Sequence, residues 1–509
     1  MNIEIKHLWL HKCPKKWNQY TLIALVITII LLLILAGVSI SMLSGDNSIL
    51  TKAAEAKEKT EKATEDEQIK LAVNGSFDET ARLKVDNVKQ SVRNQVENAE
   101  KIEGESFPLK VTTKKGNVYY IEENGEITKP IVIEPKISNN MTPIYWRDNN
   151  TEVETTSTDS NWFNYDNSLW ANAKTTDGSY WVWIPRFEYK ITYTDESNYA
   201  NGGNIDVKLI DVSQTTPDKG YIIHPAFTNE SSTNYENGGW NKEISGFWAA
   251  KFEMSMEENG VHVETSSSDI GNQAISSSIK MVSKPNVTSW YNILPGNAYI
   301  NSYNYDRERE SHLMKNSEWG AIAYLSYSKY GLNGTEIFIN TSNVTGQSTG
   351  KTNASPSDTN YPYNTTQGVG ASTTGNITGI YDMSGGLWDF TASYNSKDTS
   401  GYLEKNGLGY FAKDAQSTQY MTVYNNENGN EHSTSNVGKI GDGIKEIRNN
   451  PSNKASWFND SIHVPINKKC FSMRGGYIGA DAEAGIFCAG YNKGDASGNK
   501  SFRTVLIEE

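Results

Sequence analysis

Residues 381–391 read Tyr381-Asp382-Met383-Ser384-Gly385-Gly386-Leu387-Trp388-Asp389-Phe390-Thr391. Gly385 and Gly386 open backbone conformations that a Cβ forbids, so the chain turns tightly there, and Trp388 is placed to pack beneath the turn. The surroundings share one texture from about residue 144 to 509. Helical periodicity nearly vanishes, and short aromatic runs such as Tyr180–Tyr189 (YWVWIPRFEY) and Gly246–Met254 (GFWAAKFEM) alternate with loops rich in Asn, Ser, Thr and Gly. The clearest helix is Ser317–Lys329, with Ser317 as N-cap, Glu318 at the positive end and Gly331 beyond it. Trp319, Ile322, Ala323 and Tyr327 would be its buried face. Residues 340–380 have few charges or aliphatics and read as a long surface loop. The pattern predicts an α+β fold for 144–509, one large loop-rich domain with an aromatic core.

Composition narrows the class. The 509 residues include 13 Trp and 28 Tyr, which a disordered chain would lack. The 41 Gly have no period and the Cys number only 3, which excludes collagen-like and cysteine-framework proteins. Net charge is −13 without a long basic run past the first twenty residues, so nucleic acid is not expected as a partner.

Towards the N-terminus the texture changes. No charge falls between Lys16 and Asp46, and Leu22–Leu43 reads LIALVITIILLLILAGVSISML. At ~1.5 Å per residue this run covers roughly 33 Å, enough for a bilayer core. It predicts a transmembrane helix over 21–43 behind a basic tip over 1–20. Lys12, Lys15 and Lys16 then put the N-terminus in the cytoplasm and the bulk outside the cell. Over residues 44–130, apolar positions spaced by three or four (Val85, Val88, Val92 and Val96 most clearly) predict a helical stalk, and 107–128 a β-hairpin or meander. Pro130, Pro135 and Pro143 mark a linker over 131–143.

The segment Tyr20–Ile29 and the helix after it resemble the N-terminus of type IV pilin-like proteins. That family has a Gly before its cleavage point and a Glu five residues in; Gln19 and Ala24 stand there instead. The resemblance implies pilus subunits as partners, while the departure favours a plain single-pass anchor.

The larger domain resembles the formylglycine-generating-enzyme (sulfatase-modifying-factor) type of the C-type-lectin fold. Trp183–Phe187 and Gly246–Glu253 look like its early strands, Val287–Trp290 like its V-x-S-W segment, and Leu313–Trp319 like its helix start. Tyr381–Thr391 is similar to its D-M-x-G-N-V-W-E-W-T, and Arg474-Gly475-Gly476 with Ser501-Phe502-Arg503 to its R-G-G and G-F-R. Arg474 and Arg503 are expected to be structural, each pairing a carboxylate or carbonyls below the surface. Oxidases of the family bind copper through cysteines, the first just after R-G-G; Tyr477–Glu483 contain none. Five of the histidines, His224, His262, His312, His432 and His463, are scattered without metal spacing. Gly368–Gly379 lacks the strand and helix of a phosphate loop. No catalytic residue, metal or cofactor is therefore expected, with calcium left open at Asn425–Glu431 and Asp442. Cys470 and Cys488 are candidates for a disulfide.

Between the framework islands FSMRGG and SFRTVL, residues 471–506 are rich in small, polar and aromatic types. Ile486, Phe487 and Val505 would be strand core. Tyr477, Ala480, Asp481, Glu483, Tyr491, Asn492, Lys493, Asp495, Ser497 and Asn499 would face outward and, with Trp388, form a ligand-binding face of paratope-like composition. The arrangement resembles the variable region of proteins diversified by retroelements. These resemblances imply a bacterial cell-surface adhesin or receptor for a protein or glycan ligand. The alternatives are a minor pilin-like subunit carrying the domain on a filament, or a degenerate enzyme of the formylglycine-generating type.

Overall fold

The structure is a computed structural model and describes residues 60, 64–114, 117–128, 133–229, 239–411, 418–427, 429, 438–448, 456–479 and 483–508. The chain divides into two compact units, Met1–Pro130 and Ile131–Glu509.

In the first unit, helical residues 64–74 (α1) and α2 (Val85–Gln95) accompany an antiparallel meander of β1 (Ala99–Glu103), β2 (Leu109–Thr113), β3 (Val118–Ile121) and β4 (Ile127–Thr128). The valine stripe finds its partner here. Val88 and Val92 are fully buried in one cluster with Ile69 and Val73 of α1 and Leu109, Val111 and Ile121 of the meander. Glu65 helps dock α1 on the sheet, its carboxylate accepting from Asn117 Nδ2 at 2.6 Å and Asn98 Nδ2 at 3.2 Å. The expected stalk is thus, over its described part, one layer of a small packed unit.

The membrane expectation is corrected. Among the described residues no helix is long and apolar enough to cross a bilayer. The 11 residues of α2 rise only about 17 Å against the ~30 Å of a hydrocarbon core. Leu22–Leu43, the 1–20 tip and most of 44–63 lie outside the described residues. A single-pass protein with a cytoplasmic N-terminus and extracellular bulk is therefore not supported.

The second unit is a sheet-rich α+β body. In chain order its main elements are β5 (Met141–Trp146), β6 (Glu152–Glu154), β7 (Asn172–Thr175), β8 (Tyr180–Pro185), β9 (Phe187–Tyr193), β10 (Gly203–Leu209), β11 (Gly246–Ala250), α3 (Pro295–Tyr305), β12 (His312–Leu313) and α4 (Asn316–Tyr327). There follow β13 (Trp388–Asn395), β14 (Thr422–Tyr424), β15 (Phe471–Gly475), β16 (Gly485–Asn492), β17 (Lys500–Phe502) and β18 (Thr504–Leu506). A seven-stranded sheet runs β12-β18-β11-β8-β7-β5-β6, and a second runs β14-β13-β15-β16 with β17 also on β13. β5 claims the end of the expected linker, since Pro143 pairs with Ala173 on β7. Lys136 O, further back, accepts from Trp248 Nε1 at 2.7 Å.

The core is aromatic. Trp183 on β8 stands opposite Trp248 on β11, with ring centroids 5.3 Å apart at 63°. Both are fully buried, and removing one such side chain from water stabilises by about 1.5–3 kcal/mol. α4 is apolar all round rather than striped, because Ala321, Tyr324 and Leu325 are buried along with Trp319, Ile322 and Ala323. It starts one residue before the expected cap. Glu318 Oε2 accepts Lys315 N–H at 2.8 Å, so the glutamate closes the end that Ser317 was expected to cap. Residues 340–380 lie only partly on the surface as expected: Lys351, Pro356, Thr359 and Gln367 are exposed, while others are drawn inside. Asn340, Thr345, Ser348, Ser372 and Thr373 are buried because their side chains satisfy backbone groups, Thr345 the remote carbonyls of Lys284 and Val287 and the others nearby ones; Thr373 Oγ1, for one, accepts Ile380 N–H at 2.9 Å.

Candidate binding face

The face is organised by β13. It pairs in parallel with β17 (Trp388 with Lys500, Phe390 with Phe502) and antiparallel with β15 (Asp389 with Arg474, Phe390 with Met473). β15 in turn sets Arg474 against Ala489, Met473 against Gly490 and Ser472 against Tyr491 on β16. The turn before β13 uses the left-handed conformations its sequence allows, with φ of 75° at Gly385 and 70° at Gly386. Its backbone is tied into the C-terminal segment at three points. Gly385 N–H donates to Gly475 O at 2.9 Å, Ile478 N–H to Gly386 O at 3.1 Å, and Trp388 N–H to Asn499 O at 3.0 Å.

These bonds bring Trp388, Tyr477, Ser497 and Asn499 together. The half-buried ring of Trp388 lies against Gly490, where a Cβ would come within 3.0 Å of it. The Tyr477 ring stacks beside it, centroids 6.3 Å apart and 26° from parallel. Ser497 Oγ donates to Asn499 Oδ1 at 2.5 Å. Asn492 folds the next loop by accepting Gly494 N–H at 2.8 Å and Asp495 N–H at 3.2 Å. Lys493, Asp495 and Glu483 are exposed.

Tyr491 is not part of this group. Neighbouring residues on a strand point to opposite faces, so Tyr491 lies across β16 from Gly490 and Trp388. Its ring meets His463 edge-on at 5.2 Å and Lys469 Nζ at 4.4 Å, two neighbours the sequence did not single out. The segment carrying His463 runs beside β16, with Ala489 N–H on Ser461 O at 2.9 Å and His463 N–H on Ala489 O at 2.8 Å. Ala480 and Asp481 lie outside the described residues. Ile486, Phe487 and Val505 are buried strand residues, as read.

The two framework arginines are fully buried. Arg474 donates to three carbonyls, Asp442 O at 2.7 Å, Cys488 O at 3.0 Å and Gly443 O at 3.4 Å. Arg503 donates to Ala250 O at 2.8 Å, Tyr381 O at 2.9 Å and Asp389 Oδ2 at 3.3 Å. Glu253 and Asp382 complete a buried acidic group under the Trp388 turn that went unread. Its one signal was a pair of charges, Lys251 and Glu253, inside the apolar run GFWAAKFEM.

The disulfide expectation is corrected, because Cys470 and Cys488 are free and buried. Cys470 precedes Phe471, which faces Asn492, whereas Cys488 precedes Ala489, which faces Arg474. The register sets them about five residues apart along the ladder, roughly 17 Å, far beyond the ~7 Å a bridge spans. Burial pushes both thiols up, so they stay protonated. Asp442 is one of the positions where calcium is left open. Its carboxylate is enclosed by donors, Lys439 N–H at 2.6 Å, Ile444 N–H at 2.8 Å and Tyr424 Oη at 2.9 Å among them. Asn425–Glu431 falls partly outside the described residues. Among the described residues no group of three or more His, Cys, Asp or Glu could hold a metal ion.

No protein-family model matches the chain, and no curated protein matches it. Fold and face together define a sheet-rich α+β protein that displays a Trp–Tyr pair over a rigid strand ladder.

Proposed function

We propose that this chain is a non-catalytic recognition protein, and that its 471–506 segment with Trp388 forms the ligand-binding face of a lectin-type domain of the formylglycine-generating-enzyme kind. The observation that carries the reading is the stacked Trp388–Tyr477 pair, flanked by Ser497 and Asn499 and backed by a buried strand ladder. Rigid aromatic anchors beside adaptable hydrogen bonders suit recognition of a protein or glycan surface. Tyr477, Asp495 and Asn499 between Arg474 and Phe502 are not among the hydrogen-bond partners of the buried arginines, which supports a segment diversified at such positions in the manner of retroelement-targeted proteins.

The test is to sequence codons 471–509 across many isolates and to search nearby for a near-repeat differing at adenines. Substitutions should concentrate at Tyr477, Asp495, Ser497 and Asn499 while Arg474 and Phe502 stay fixed. An invariant segment without a repeat defeats diversification. A set of immobilised glycans and proteins then tests recognition itself, and binding unchanged in Trp388→Ala and Tyr477→Ala defeats the face. A second reading, a minor pilin-like subunit, draws support from the small helix-and-meander unit of α1, α2 and β1–β4.

A further inference from the structure

We infer that the buried acid cluster of Glu253, Asp382 and Asp389 retains one proton beneath the Trp388 turn, on Glu253 or Asp389, and that this proton makes the order of the turn depend on pH. The retained proton stands on its own; only its bearing on ligand binding rests on the function proposed above.

The argument begins with charge. Glu253, Asp382 and Asp389 are at most 1% exposed, and the one cation among them is Arg503. With every acid ionised, the cluster would carry two uncompensated negative charges out of reach of water, which is very costly. Hydrogen bonding decides where protons reside. Asp382 is rich in donors: Asn340 Nδ2 at 2.9 Å, Gly346 N–H at 2.9 and 3.0 Å to its two oxygens, and Glu253 N–H at 3.4 Å. Asp389 receives one donor, Arg503 Nε on Oδ2, and Glu253 receives Leu387 N–H on Oε1 at 2.9 Å, with the Ser289 hydroxyl also favouring its charged form. The remaining oxygens, Glu253 Oε2 and Asp389 Oδ1, are buried without any donor.

No other charged group on the surrounding elements supplies one. Lys251, preceding Glu253, is held by Asn172 Oδ1, Ile377 O and Gly379 O. Arg474, opposite Asp389 on β15, is turned to its three carbonyls, and Lys500 on β17 donates to Asp495 O at 3.0 Å. A proton on Glu253 or Asp389 turns one of these oxygens into a donor and removes one negative charge. Electrostatics agrees in direction. Burial, then the Asp389 and Asp382 charges, push Glu253 well above the usual carboxylate range. Burial pushes Asp389 up to about 7, with Arg503 opposing.

The proton is coupled to the turn because Glu253 Oε1 holds Leu387 N–H, next to Trp388, and the same oxygen lies against Gly386. The folded chain keeps a proton that the unfolded chain releases near pH 4. Stability therefore falls as pH rises from about 4 to about 7, by about tenfold in the unfolding constant per pH unit for one proton.

The test uses the full chain. Infrared difference spectra of wild type against Glu253→Gln at about pH 6 should contain the carbonyl stretch of a protonated carboxyl that the variant lacks, fading in wild type as the pH is raised. Urea unfolding from about pH 4 to 7 should be steeper in wild type by that tenfold per unit. A wild-type band that is absent or does not titrate overturns the inference even if Glu253→Gln fails to fold; parallel unfolding curves overturn it too. Acrylamide quenching assigned to Trp388, by difference with Trp388→Phe, should rise over the pH range in which the band fades. Quenching that stays flat overturns the link to the turn while leaving the proton in place. None of these measurements uses a ligand, so their failure is distinct from failure of the binding face.

Discussion

Arg474 and Arg503 flank β13 and are equally buried, yet their surroundings differ in kind. Arg474 sits in a cage of carbonyl dipoles, and burial lowers its pKa. Arg503 faces two carboxylates, Asp389 and Asp382, and carries the charge that lets them be buried together. Both arginines spend their forks on carbonyls, but of the two only Arg503 also donates to a carboxylate, that of Asp389. Residue type and burial therefore do not fix a role; the partners do.

The largest effect expected from breaking this contrast is at Arg503. Arg503→Met strands the buried acids and should cost about 3–5 kcal/mol in urea unfolding. Arg474→Met leaves three carbonyls without a donor and should cost less, about 2–4 kcal/mol. Lysine swaps sharpen the comparison. Arg503→Lys should recover much of the lost stability, because charge is what the acids need, whereas Arg474→Lys should recover little, because an ammonium does not reproduce the fork. Equal rescue at the two sites would erase the distinction.

A smaller effect concerns a buried group with no ion partner. Burial depresses His224 to about 3, and its ring stays neutral against Phe187, Tyr189 and Phe227. Its folded pKa lies below its unfolded one, so stability should fall as pH drops from about 6.5 towards 3, opposite in sign to the Glu253–Asp389 slope. His224→Gln, measured over that range, should remove this acid limb alone. Smaller still is Gly490→Ala. A methyl there meets the movable end of the Trp388 ring and should cost about 1 kcal/mol, raising acrylamide quenching of Trp388 more than it lowers stability. Least of all, Cys470→Ala should leave the unfolding midpoint independent of reductant, since no bond joins Cys470 to Cys488.

How much of this was legible depended on whether the deciding contact was local. Gly385-Gly386 declared its turn, and Ile486, Phe487 and Val505 their burial, because one residue type at one position carried the signal. Arg474 and Arg503 were legible as structural, yet the difference between them was not. Their partners, the Asp442 carbonyl and the Asp389 carboxylate, are remote in sequence, and only the folded chain brings them close. The cysteines failed for the same reason: a short spacing in sequence became a long distance along a ladder. Tyr491 and Tyr477 looked alike as outward aromatics, and strand alternation separated them. The valine stripe was clear, but its partner sheet lies later in the chain than the stripe itself.

One strand has a consequence for how the molecule is made. β18 follows every other strand of its sheet in the chain, yet it lies inside that sheet, between β12 and β11, with Val505 facing both Ala249 and His312. Nascent chains that have not yet produced residues 504–506 hold two open sheet edges where the core should be continuous. The seven-stranded sheet therefore closes late, across long sequence separations, which predicts slow assembly and a need to guard those edges during synthesis. Any chain that displays the 471–499 segment on a finished sheet has already translated through β18 in frame, so the fold itself proofreads what it presents.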